Sequence, residues 1–178
     1  MARVPLIQEQ DHPELAEVIE KYRAGRRGKL INIYRMLLNS PPLAESWFNH
    51  SNAVRWQTTL DGRLREIVII RMGHLTNSQY GLRQHVPSLA LAEGLSLDDC
   101  NALAAWDGSD RFSERERGAL AYTDAMTRDI VVPDETFAEV QRHFDARQIV
   151  ELTVLIGSYN MNARVMQALR LDLEPVAS

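Results

Sequence analysis

Cysteine is all but absent: Cys100 is the single one among 178 residues. It can form no internal disulfide, CxxC redox pair or cysteine zinc site. Lysine is nearly as scarce, with two residues against eighteen scattered arginines and a formal net charge of −4. That balance leaves no basic footprint, so nucleic acid is not expected as a partner. Long apolar runs are missing too. No stretch approaches the ~20 residues of a membrane span, and Met1-Ala2-Arg3-Val4-Pro5 has neither the apolar stretch nor the cleavage site of a secretory signal. A soluble, cytoplasmic protein is the expectation. His12, His50 and His143 have no partner at HxH or HExxH spacing, so the sequence supports no metal site.

What is present is ordinary for a globular chain: 45% hydrophobic and 25% charged residues, in a length that suits one domain of about 100–200 residues. Strand signals are nearly absent, because the strongest β-branched run, Glu66 to Ile70, continues in helical register through Arg71, Met72 and Leu75. Punctuation by proline, glycine and capping residues predicts helices over about 13–26, 29–39, 41–59, 63–76, 78–93, 97–106, 114–128, 133–144 and 146–171. Pro87 marks a kink or split inside the fifth. Ser96 with Asp99, Ser113 with Glu116 and Asp145 with Gln148 have the spacing of reciprocal N-terminal caps. The expected fold is an all-α bundle of eight or nine helices.

Three segments put polar groups inside apolar helices, the kind of local conflict that marks functional positions. In the first, Glu66 precedes four apolar residues and shares a face with Ile70, His74 and Asn77; a rim residue paired with Arg63 or Arg65 is the plainer alternative. In the second, Ser78, Gly81, Leu82 and His85 share a face, and the missing side chain at Gly81 leaves space one turn before His85. His85 is either functional or a hydrogen-bonded core histidine. In the third, Tyr159, Asn160, Asn162 and Arg164 interrupt a strongly apolar helix around Gly157. Arg164 either holds a carboxylate with its planar fork or fixes two helices or subunits by a salt bridge.

The stretch REIVIIRMGHLTNSQYGLRQHVPSLALAEG, Arg65 to Gly94, resembles the core motif of the carboxymuconolactone decarboxylase and AhpD-like superfamily. Phe112 to Glu116 and Ile156 to Asn160 are similar to segments of its longer members, so the likeness covers roughly residues 40–171. In the peroxidase branch, a glutamate is followed twelve residues later by a CxxC, and the histidine lies four residues beyond its second cysteine. Counted from Glu66, those positions are Ser78, Gly81 and His85. Both cysteines are replaced, so the resemblance is to a cysteine-free branch, and thiol peroxidase chemistry is not expected.

The resemblance implies one such domain over 1–178, with 1–39 as an N-terminal helical extension, assembled as a trimer or hexamer. It also implies a cofactor-free lyase acting on a small carboxylated, lactone-like metabolite, with His85, Glu66 and Tyr80 catalytic and with Ser78, Gly81 and an arginine among Arg71, Arg83 and Arg164 binding the substrate. The alternative is a non-catalytic oligomeric binding or stress-associated protein that keeps the fold.

Overall fold

The computed structural model describes residues 1–26 and 28–175. Nine α-helices and no strand occur among them: α1 Ala16–Ala24, α2 Asn32–Leu37, α3 Pro41–Trp56, α4 Gly62–Leu75, α5 Gln79–Gln84, α6 Leu97–Ala102, α7 Glu114–Arg128, α8 Asp134–His143 and α9 Ala146–Ala168. None is long and apolar enough to cross a membrane. The chain divides into two compact units, Met1–Asn52 together with the chain from Val165, and Ala53–Arg164. The extension expected over 1–39 falls within the first unit, which runs thirteen residues further and takes in the C-terminal segment.

The first unit is organised by aromatic packing. Tyr22 on α1 stacks against Tyr34 and Phe48 at ring-centroid distances of 5.0 and 4.6 Å. Arg26 covers Tyr34 and Phe48 and donates to the Tyr34 hydroxyl and to Asn52. Gly25 is required here, because a Cβ would stand 2.7 Å from the Phe48 ring. The C-terminal strap is held by backbone and carboxylate contacts: Arg3 N donates to Leu169 O, and Asn32 N donates to Glu174 Oε1.

The second unit is built around α4. Ten consecutive residues, Leu64 to Gly73, are buried, so this helix is covered all round in the manner of a core helix. Val68, Ile69 and Met72 pack toward Leu152, Leu155 and Ile156 of α9, while Ile67 and Ile70 pack toward Leu95, Leu103 and Leu120. Asp61 caps α4 by accepting from Leu64 N. All three reciprocal caps form as their spacing predicts, at Ser96/Asp99, Ser113/Glu116 and Asp145/Gln148.

The fifth predicted helix splits. α5 ends at Gln84, and His85–Ala90 forms a π-helical turn. The reason is Pro87, which lacks the N–H that would donate to the Arg83 carbonyl in α-helical register. Such π turns recur at functional sites, and here the turn begins on His85.

Burial of Arg71 on α4 is offset by a full set of partners. Its Nε and Nη2 donate to the two oxygens of Asp124 at 2.6 Å each, and Nη1 donates to the Leu103 and Ala104 carbonyls. Arg71→Met should destabilise the chain by about 3 kcal/mol, the lower end for a broken buried pair, because Asp124 keeps Trp106 and Arg128 as partners. Denaturant unfolding measures the loss; unchanged stability would show that the pair is dispensable.

Candidate active site

Glu66 is fully enclosed on α4, with 0% side-chain exposure. A carboxylate in that position must be fully paired to stay ionised. Its Oε2 stands 2.6 Å from Nδ1 of His85, at the start of the π turn. Its Oε1 accepts from Arg55 Nη2 at 3.2 Å and lies 4.0 Å from Arg65 Nε. Arg55, in the last turn of α3, also donates from Nη1 to the Tyr159 hydroxyl of α9 at 2.8 Å. The same Nη1 is 3.5 Å from His85 Nε2, and the Tyr159 ring meets the imidazole edge-on at 5.5 Å. Four helical elements therefore bring one carboxylate, two guanidiniums, one phenol and one imidazole together.

The electrostatics follow from that arrangement. Burial pushes the His85 pKa below its ordinary 6.5; Glu66 opposes the shift, but Arg55 and Arg65 reinforce burial. Burial alone would raise the Glu66 pKa, yet His85, Arg55 and Arg65 together hold it below its ordinary 4.5. At neutral pH the pair is thus carboxylate and neutral imidazole. Because Glu66 can only accept, the hydrogen-bond network assigns the proton to Nδ1 and leaves the Nε2 lone pair facing Arg55. Burial would lower the Arg55 pKa, but the nearby Tyr159 and Glu66 raise it on balance.

The residues picked out by sequence divide into two groups. Glu66 and His85 are joined directly, and Glu66 is buried rather than at the rim, pairing with Arg55 and, of the two arginines expected, with Arg65 and not Arg63. Tyr80 is buried on α5. Ser78 caps α5 by accepting from Gly81 N. A Cβ built at Gly81 would stand 3.0 Å from the Ser78 Oγ of that cap.

The three arginines expected to bind substrate are placed elsewhere. Arg71 is committed to Asp124 and two carbonyls, Arg83 is exposed, and Arg164 donates to the carbonyl and side-chain oxygens of Asn160. None forms a hydrogen bond or ion pair with Glu66 or His85. Arg55 takes that position, with Tyr159 beside it. Tyr159 lies in the segment already conspicuous for polar residues, whereas nothing in the pattern separates Arg55 from the other seventeen arginines. Among the described residues, no three His, Cys, Asp or Glu side chains are grouped as a metal ion would need.

The signature of the carboxymuconolactone decarboxylase family matches residues 41–125, a span that contains Arg55, Glu66 and His85. Over that span the chain is similar to the carboxymuconolactone decarboxylase family. The chain is 33% identical over 122 residues to the uncharacterized protein YnjA of Escherichia coli (strain K12), a match covering 67% of this chain and 66% of that relative, just under two thirds of its length. The crystal structure of the AhpD-type protein ATU0492 from Agrobacterium tumefaciens superposes with a TM-score of 0.73 at 26% identity, covering 79% of this chain and 96% of that one. The debrominase Bmp8 shares the fold, with a TM-score of 0.78 at 20% identity over 94% of this chain and 90% of its own.

The chain has no cysteine between Glu66 and His85. Cys100 is buried on α6, and burial together with Asp99 and Glu66 pushes its thiol pKa up. It should be inert toward peroxide, because the thiolate is the reactive form. Peroxide consumption by the purified protein is expected to be negligible and identical in Cys100→Ser. Rapid consumption that disappears in the variant would contradict this.

Proposed function

We propose that this chain is a cofactor-independent lyase of the carboxymuconolactone decarboxylase type, acting on a small carboxylated, lactone-like metabolite with His85 as its acid–base residue. The observation that carries the reading is the pairing of His85 Nδ1 with a fully buried Glu66 carboxylate at 2.6 Å, which reserves Nε2 for the substrate beside Arg55 and Tyr159. Arg55 holds the substrate carboxylate, since its guanidinium offers a planar pair of donors. Tyr159 fixes the guanidinium from the other side.

The chemistry balances without an external electron sink. The bond from the carboxylate carbon to the γ carbon of an α,β-unsaturated lactone breaks, CO2 leaves, and the electron pair spreads through the double bond onto the lactone carbonyl oxygen. A proton from Nε2 of the imidazolium then forms the new C–H bond, and neutral His85 is recharged from solvent, so one proton is consumed for each CO2 released. Because the imidazolium is a stronger acid than usual here, it releases its proton readily once formed. Binding of a carboxylate against Arg55 offsets the guanidinium charge felt by the ring and favours its protonation.

The test is release of CO2 from 4-carboxymuconolactone and related unsaturated lactone acids by purified protein with no added metal or nucleotide. Turnover that is retained by Arg55→Lys with a raised KM supports the assignment; no release from any of these acids would overturn it. The chain is also proposed to act as a cytoplasmic homo-oligomer, a trimer or hexamer, a reading supported by exposed Val150, Val154 and Met161 along α9.

A further inference from the structure

Arg65 is buried, with 8% side-chain exposure, yet it is incompletely partnered. Its Nη2 donates to Glu93 Oε1 at 2.9 Å, while Nε has no hydrogen-bond partner. The guanidiniums of Arg55 and Arg65 both lie against the ring of Trp56, at 4.9 and 5.4 Å from its centroid. Trp56 is itself 56% exposed. Both arginines also reach the same oxygen of Glu66, at 3.2 and 4.0 Å. Two cationic groups therefore lie against one solvent-facing aromatic ring and share one carboxylate oxygen.

Their two counter-ions differ in kind. Glu66 is enclosed and cannot leave without abandoning charge in the core. Glu93 has a side chain 35% exposed and sits in the turn beside Gly94, whose φ is +81°. Its carboxylate rests over the Cα of Gly62, where a Cβ would stand 1.7 Å from Oε2. That seat exists only because residue 62 has no side chain. A carboxylate one-third exposed on a flexible stem loses little by moving into water.

We propose that Arg65 is a second carboxylate-binding residue, that Glu93 is its resting counter-ion, and that the ligand of this site is a small dicarboxylate whose second carboxylate displaces Glu93. This rests on the reading that Arg55 holds the first carboxylate. The ligand's two acid groups bridge the adjacent guanidiniums, and Arg65 exchanges an internal partner for an external one without ever being left unpaired.

Fumarate and acetate serve as dicarboxylate and monocarboxylate probes, with affinity measured by NMR-detected titration of the full chain. Wild type should prefer fumarate, and Arg65→Met should reduce that preference about tenfold while leaving acetate binding unchanged. Glu93→Gln removes the competing charge and should bind fumarate about fivefold more tightly. Gly62→Ala leaves both arginines and Glu93 chemically intact, and its φ is compatible with alanine, but its Cβ evicts the Glu93 carboxylate; it should tighten fumarate binding in the same direction.

Fumarate affinity unchanged in both Glu93→Gln and Gly62→Ala, or a preference that survives Arg65→Met, overturns the proposal while acetate binding leaves the Arg55 reading standing. Failure of both probes to bind wild type overturns the Arg55 reading, and the second subsite with it.

Discussion

His85→Gln should abolish lyase turnover, lowering kcat by about 10²–10⁴-fold, the usual contribution of a positioned acid–base group. Glutamine approximates the polar shape of the imidazole but cannot deliver a proton to carbon. The effect should fall on kcat rather than KM, because carboxylate binding is assigned to Arg55. In wild type, kcat/KM should fall about tenfold per pH unit above neutrality, since the active acid is the imidazolium and the His85 pKa lies below 6.5. The plateau is expected below the His85 pKa and above that of Glu66. A rate that climbs with pH through 7 would mean that neutral His85 works by removing a proton, and decarboxylation would give way to proton abstraction.

Glu66→Leu should have the largest effect on stability, a loss of about 3–5 kcal/mol, because it strips the carboxylate from buried Arg55 and from His85 while leaving Arg65 with Glu93 alone. Chemical denaturation and far-ultraviolet circular dichroism measure it. The same pair predicts acid sensitivity. His85 has a lowered folded pKa, so as pH falls below 6.5 the unfolded chain takes up a proton that the folded chain refuses, and stability declines. Glu66 also has a lowered folded pKa, so its contribution is full above 4.5 and is lost as pH drops from there toward the folded value. Both signs agree: the melting temperature should fall on acidification from 6.5, and His85→Gln should remove the upper part of that fall. A melting temperature independent of pH across this range would deny the coupling.

The fold was legible from sequence because its signals are local. Capping residues at Ser96, Ser113 and Asp145 act on backbone N–H groups three residues away, so reading the chain in order finds the helix starts. The π turn at His85–Ala90 is half legible: Pro87 announces a disturbance, but proline alone does not choose between a kink, a break and a wider turn. Glu66 and His85 could be paired because a fixed nineteen-residue spacing spans one helix-to-helix turn at Thr76-Asn77-Ser78, where Asn77 takes a φ of +51°.

Arg55 and Tyr159 could not be placed that way. They lie 30 and 74 residues from His85 in the chain, on α3 and α9, and only tertiary packing selects them. The same limit applies to the arginines that the sequence does single out. Arg71 lies inside the motif, yet its guanidinium turns to Asp124 on α7. At Gly81 the local pattern shows a missing side chain, and the structure adds that a Cβ there would stand 3.0 Å from the Ser78 hydroxyl that caps the same helix.

The state of the dyad can be observed directly by ¹⁵N-edited NMR of the His85 ring across a pH titration of the intact chain. The geometry predicts a neutral ring at pH 7 with the proton on Nδ1 and a bare Nε2, becoming an imidazolium only below pH 6.5. A ring already doubly protonated at pH 7, or one carrying its proton on Nε2, would contradict the account.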